Sequence, residues 1–266
     1  NLLVFGATGN IDAYILREIL KNKDSFGEIT IITSQGTVEN KAEQLQNLRS
    51  EGVEVIVGDV TNPVDVLNVL KGINTVISTV GRNILGEQIK WIQLAEKTTF
   101  VTRFFPSEYG TDIDCSPYAD GQMLAYLSAL AESARVVGTY DVKAKIATLI
   151  EDGKGKVSLT TPKDVGRLVV KALLHPEASK KRALKVNSFI TTPADIVAEF
   201  EKQTGEKLTV TYTSLAELKE LETAAWENKV PLAPLRRIWA EGATLYVKRD
   251  NSLLTLKITW RHWQTL

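Results

Sequence analysis

The chain has 266 residues, enough to bury one large α/β domain or a dinucleotide-binding half with a smaller lobe. Its 32 basic and 32 acidic residues cancel, which removes any global field drawing it to nucleic acid or anionic membrane. The single cysteine, Cys115, excludes an internal disulfide framework, and no apolar run reaches the roughly 18–20 residues of a membrane span, so a cytoplasmic setting is expected. The sequence starts directly on an apolar run, with no methionine or signal peptide before it, and this points to a longer gene product.

The apolar run Leu2–Phe5 reads as a first strand, broken by Gly6-Ala7-Thr8-Gly9-Asn10, and a helical pattern follows over Ile11–Lys21 with Ile11, Tyr14, Ile15, Ile19 and Leu20 on or near one face. This order is the strand-to-helix turn of a dinucleotide-binding fold. Its glycines let the backbone approach a pyrophosphate, and the helix N-terminus favours the anion. Asp12 stands where a third glycine is expected. Ile29–Thr33 is a second strand, Val38–Ser50 an amphipathic helix, and Val53–Val57 a third strand ending in Gly58-Asp59. Asn62-Pro63 starts a short helix through Leu70, Asn74–Val80 is a fourth strand closed by Gly81, Gly86–Thr98 a helix, and Phe100–Phe105 a fifth strand.

After Gly110 the alternation breaks. Residues 111–121 are polar and turn-like, and Met123–Ala134 suits a helix. Ala147–Ile150 and Lys156–Thr160, joined by Asp152-Gly153-Lys154-Gly155, read as a hairpin. Thr161-Pro162-Lys163-Asp164 caps a helix over Val165–Leu174, which stops before His175-Pro176. Further on, Leu184–Ser188 and Leu208–Tyr212 suit strands. Thr192 to about Gln203 and Ser214–Trp226 suit helices, and the tail carries Trp239, Trp260 and Trp263. The tryptophans are expected in a lobe core rather than a ligand box.

The phrases GATGNI, STVGRNIL, RFFPSEYGTDI, PYADG and KVSLTTPKDVG, in this order over nearly the whole chain, resemble the NmrA-like, isoflavone-reductase-like branch of the atypical short-chain dehydrogenases, its fungal members most. The resemblance implies an α/β protein: a Rossmann-type doubly wound parallel sheet over residues 1–115, with a smaller C-terminal α+β substrate lobe over 116–266. It implies NADP(H) as cofactor, NAD(H) remaining open, and an NADPH-dependent reductase of a small aromatic or phenolic metabolite. The alternative within the family is a dinucleotide-binding regulator or pseudoenzyme. The expected partner is a small-molecule substrate, with no nucleic-acid or membrane contact, in a monomer or weak homodimer.

By the same resemblance, Gly6, Thr8, Gly9, Asn10 and Ile11 wrap the pyrophosphate, Thr33 and Ser34 lie beside the adenosine ribose, and Asp59 and Val60 border the adenine. Thr79, Val80 and Gly81 meet the ribose and nicotinamide, Phe105, Pro106 and Ser107 approach the nicotinamide, and Tyr118 faces the substrate. Three departures from the family pattern stand out. Asp12 replaces a small residue; it either caps the helix or opposes a bound pyrophosphate by its charge. The end of the second strand, Thr33-Ser34-Gln35-Gly36-Thr37, has no arginine for a 2′-phosphate, and the nearest base, Lys41, is read as a solvated helix residue. The family's catalytic lysine lies between PSEYGTDI and PYADG, where only Asp114, Cys115 and Ser116 stand here. Either the lysine segment is lost, or the full protein carries residues that this sequence omits. The second reading is preferred, because a sheet ending at strand five exposes its edge.

Other chemistries find little support. Tyr109, Tyr118, Tyr126 and Tyr140 are followed four residues on by Ile113, Gln122, Leu130 and Ala144, so none makes a Tyr-x-x-x-Lys pair. Lys143 and Lys145 are read as surface or packing residues, and Glu108 as a structural acid. With two separated histidines, His175 and His262, no metal site is expected. No G-x-S-x-G turn offers a nucleophilic serine.

Overall fold

A computed structural model describes residues 1–110, 139–141, 143–227, 237, 240–242, 244–246 and 248–254. Contacts divide the chain into two compact units, one built from residues 1–110, 161–183 and 253–254, the other from described residues within 139–160 and 184–252.

Among the described residues the first unit holds a parallel five-stranded sheet. Strands β1 (Leu2–Phe5), β2 (Ile29–Thr33), β3 (Val53–Val57), β4 (Thr75–Ser78) and β5 (Arg103–Phe105) lie in the order β3-β2-β1-β4-β5. Leu2 pairs with Ile29 of β2 and with Thr75 of β4, and Phe5 with Ile32 and Ser78. Every residue of β1, β2 and β4 is buried, as expected of strands covered on both faces. Side chains alternate across the sheet: Leu2 and Val4 join one apolar cluster, Leu3 and Phe5 another.

Helix α1 (Asn10–Lys21) covers the first face with Ile15 and Ile19 fully buried. After it come α2 (Gln35–Asn40), α3 (Ala42–Ser50), α4 (Pro63–Val69) and α5 (Glu87–Glu96). The continuous helix expected over 38–50 is therefore two, broken at Lys41, whose backbone (φ −133°, ψ 34°) leaves the helical region. On the second face α4 and α5 bury Val66, Val69 and Trp91, and the Trp91 ring stacks on Phe5 with centroids 4.2 Å apart.

Helix α6 (Pro162–Leu174) begins at Thr161, whose hydroxyl accepts the Asp164 N–H at 3.2 Å, with Pro162 in the first turn. A short helix, α7 (Pro176–Ser179), follows it. The expected boundary at residue 115 leaves α6 in the smaller lobe, whereas contacts place it with the sheet, against α1. Gly166 makes this approach possible, because a Cβ there would run into the Tyr14 carbonyl oxygen. From β5, Arg103 donates to the Ala172 and Leu173 carbonyls at 3.0 and 2.9 Å, satisfying acceptors in the last turn of α6.

In the second unit, β6 (Thr139–Asp141), β7 (Ile146–Ile150) and β10 (Thr209–Thr213) form a sheet in the order β10-β7-β6, while β8 (Val157–Leu159) pairs with β9 (Phe189–Thr191). The expected hairpin between β7 and β8 does not form: β7 is parallel to β10 and antiparallel to β6, and β8 takes β9 instead. The strand expected over 184–188 lies at 189–191. Helix α8 (Pro193–Thr204) is held by a reciprocal Thr192–Asp195 capping box and ended by Gly205 at φ +71°; α9 (Leu215–Glu227) follows β10. A mostly apolar cavity of about 500 Å³ lies within this unit, lined by Tyr140, Leu149, Val157, Ile196 and Phe200, with Glu151 and Asp152 also on its wall.

Candidate functional site

The strand order reverses between β1 and β4, and open α/β sheets bind ligands outside the carboxyl ends of strands at such a switch point. Gly6, just after β1, has φ +85°, and a Cβ on it would lie 2.9 Å from the Val80 amide nitrogen. Only glycine fits both the backbone conformation and the space. The Phe5 carbonyl accepts the Thr79 N–H at 2.9 Å and the Thr79 hydroxyl at 2.8 Å, pinning the end of β4 to that of β1. The loop then folds tightly, with the Thr8 and Gly9 N–H groups donating to the Gly6 carbonyl at 2.7 and 3.3 Å.

Gly9 caps α1 with extended backbone and no side-chain hydrogen bond, and Asn10 and Ile11 begin the helix. A twelve-residue helix therefore presents its first turn at the switch point with no capping side chain, an arrangement that attracts anions.

The ends of β2 and β3 lie to one side. Thr33 is buried and its carbonyl accepts the Gly58 N–H at 2.9 Å. Ser34 caps α2, its hydroxyl accepting the Thr37 N–H at 3.3 Å. Lys41, expected as a solvated helix residue, stands between α2 and α3 and donates from Nζ to the Thr8 carbonyl at 2.5 Å. Its head group is tied to the glycine loop although its side chain is exposed. Asp59 is exposed, and hydrogen bonds from the Thr61 hydroxyl and N–H hold its carboxyl below the ordinary value. The Val60 carbonyl accepts the Trp91 indole N–H at 2.8 Å.

The end of β5 is knitted to the end of β4. Ser107 donates its hydroxyl to the Val80 carbonyl at 2.9 Å, and its N–H goes to Gln88 Oε1 at 2.8 Å. Phe105 and Pro106 are half-buried there, and Glu108 is exposed, its N–H turned back to the Pro106 carbonyl at 2.8 Å. The expected set from Gly6 to Ser107 thus gathers at the carboxyl ends of the five parallel strands. Tyr118, Cys115, His262 and the three tail tryptophans lie outside the described residues.

Two features of this end of the sheet were not legible from the sequence. The Tyr109 phenol is buried without a hydrogen-bond partner, and burial, with Glu108 beside it, pushes its pKa well up. The other is the orientation of Asp12. This residue does not cap α1: its side chain is fully buried, neither oxygen closes a hydrogen bond, and Oδ1 lies 2.6 Å from where a Cβ on Gly9 would stand. Burial pushes its carboxyl up to about 6, while the N–H groups of Asp12 and Gly9 and the Lys41 ammonium pull it down by less.

Among the described residues no cluster of metal-ligating side chains occurs, and no helix is long and apolar enough to cross a membrane.

Residues 1–128 match the NmrA-like family model. Isoflavone reductase of Pisum sativum is 25% identical over 283 aligned residues, covering 92% of this chain and 89% of that protein. A leucoanthocyanidin reductase of Vitis vinifera, solved with NADPH, superposes with a TM-score of 0.69 at 19% identity, over 93% of this chain and 89% of its own. The protein AtPrR2, solved with NADP+ and (+)-pinoresinol, superposes with a TM-score of 0.77 at 18% identity, over 97% and 95%. The sheet order and these superpositions give the chain the Rossmann-like fold of that group. Residues 1–128 thus resemble the NmrA-like family, and nearly the whole chain is similar in sequence to an isoflavone reductase.

Proposed function

We propose that this chain is an NADP(H)-dependent oxidoreductase that reduces a small aromatic or phenolic metabolite. The observation that carries the reading is the Gly6 turn: a left-handed glycine packed under Val80 at the switch point, followed by a long helix with no capping side chain. The similar proteins add support, being an isoflavone reductase, a leucoanthocyanidin reductase solved with NADPH, and AtPrR2 solved with NADP+ and (+)-pinoresinol.

The residues present fit a dinucleotide, with one exception. Gly6, Thr8, Gly9, Asn10 and Ile11 would hold the pyrophosphate through backbone N–H groups and the α1 N-terminus. Thr33 and Ser34 would border the adenosine ribose, and Asp59 and Val60 the adenine. Thr79, Val80 and Gly81, with Phe105, Pro106 and Ser107, would line the ribose and nicotinamide. The exception is Asp12, whose buried carboxyl adds negative charge beside the loop.

When bound, the cofactor supplies a hydride. The protein's part is to fix the dinucleotide against the acceptor and keep water out, so positioning supplies much of the rate. Ser107 holds the end of β5 against the end of β4, which sets the floor on which a nicotinamide would rest. The apolar cavity of the second unit, at about 500 Å³, has the size and lining of a pocket for a small aromatic molecule.

The direct test is NADPH consumption at 340 nm with a panel of flavonoid and lignan-type phenolics, products being read by mass spectrometry. A reduced product formed with one equivalent of NADPH is expected. Saturable NADPH binding without turnover on any of them would favour the second reading, a dinucleotide-binding regulator.

A further inference from the structure

Two acids are buried among the described residues, and their surroundings differ. Asp164, in the first turn of α6, lies 3.3 Å from Arg167 Nη1. Asp12, in the first turn of α1, has no hydrogen-bond partner for either oxygen. Its carboxylate does not point to solvent, as a first-turn acid ordinarily does. It folds back over the glycine loop until Oδ1 sits 2.6 Å from the Cβ position of Gly9, the residue that caps α1. The carboxylate thus lies in the field of the helix N-terminus, the same field that a phosphate at this loop uses.

The charges around it are few. From the turn between α2 and α3, the Lys41 ammonium acts on Asp12, but it is bonded to the Thr8 carbonyl rather than to the carboxylate. On α1 itself, Arg17 lies over the Tyr14 ring at 5.9 Å and Glu18 pairs with Lys21. From α6, packed against α1, Asp164 is held by Arg167, and Tyr109, packed into the same apolar cluster, keeps its phenol proton. The Lys41 ammonium, held at the loop by the Thr8 carbonyl, offsets one negative charge there, and nothing else in this set offsets a second.

We infer that Asp12 is a built-in competitor for the phosphate cradle, and that binding of a dinucleotide takes up one proton at this carboxyl. The inference rests on the dinucleotide reading given above and adds a regulation to that site. With the carboxyl neutral, the N-terminal field of α1 is left to the pyrophosphate. With it charged, two anions share one helix end, and the ligand is released. Burial has already moved the carboxyl to about 6, so the exchange falls between weakly acidic and neutral pH. When only the protonated form binds, the apparent Kd rises about tenfold for each pH unit above that value.

The test is calorimetric titration with NADP+ from pH 5.5 to 8.0, each pH in two buffers of different ionisation enthalpy, on the wild type, Asp12→Asn and Asp12→Gly. The 2′-phosphate of NADP+ itself titrates near pH 6, and comparison with the variants cancels it. The expected result is a wild-type Kd that rises about tenfold per unit above pH 6.5 relative to both variants, with about one extra proton taken up at pH 7.5. Parallel profiles and equal proton uptake in all three proteins would overturn the inference and leave the dinucleotide site standing. Failure of all three folded proteins to bind NADP+ at any pH would overturn the dinucleotide reading and this inference together.

Discussion

The amide nitrogen of Val80 lies 2.9 Å from the point where a Cβ on Gly6 would stand, so the ends of β1 and β4 meet with no room for a side chain between them. Gly6→Ala therefore faces a left-handed backbone and a backbone collision at once. A loss of roughly 1–3 kcal/mol is expected from the backbone conformation alone, and more from the displacement of β4. Urea unfolding measures it, with Gly36→Ala as the control, since a Cβ at Gly36 meets nothing nearer than 4.0 Å.

Asp12 makes the native state less stable at neutral pH. Its folded pKa, about 6, lies above the ordinary 3.8, so between about pH 4 and 6 the native state holds a proton that the unfolded chain has lost, and above that range ionising the buried group costs stability. Stability from this group is full below about pH 4, falls as pH rises through about 6, and then stays low. The shift corresponds to roughly 2–3 kcal/mol. Asp12→Asn should gain about this much at pH 7.5 and little at pH 4. Thermal melts of both proteins across pH 4–8 check it; a constant difference in Tm would contradict the argument.

Gly166 sets the distance between α1 and α6. A Cβ there meets the Tyr14 carbonyl oxygen, which is backbone and cannot turn aside. Gly166→Ala is expected to cost about 1–3 kcal/mol by overpacking, despite the better helix propensity of alanine. Chemical denaturation reads the loss, and a gain in stability would show that the two helices can slide apart freely.

Much of the first unit was legible because parallel strands covered on both faces write apolar or β-branched runs such as Leu2–Phe5 and Ile29–Thr33. Caps were legible for the same local reason: Asn62, Thr161 and Thr192 each cap the helix that follows. The pairing of β7 was not. Asp152-Gly153-Lys154-Gly155 does turn the chain, with the Gly153 N–H on the Ile150 carbonyl, but the partners of β7 lie at 139–141 and 209–213. A turn signal carries no information about strands that distant. In the candidate site, the glycine positions were legible from their spacing, whereas the bond from Lys41 to Thr8 and the inward fold of Asp12 depend on tertiary packing.

Fluorescence titration with NADPH at pH 6.5 shows whether the Gly6 loop holds a dinucleotide. Saturable binding with a Kd well below about 1 mM, a binding free energy stronger than about −4 kcal/mol, is expected, with loss of that binding in folded Gly6→Ala. No saturation by either NADPH or NADH up to about 1 mM, or unchanged affinity in folded Gly6→Ala, would contradict the dinucleotide reading.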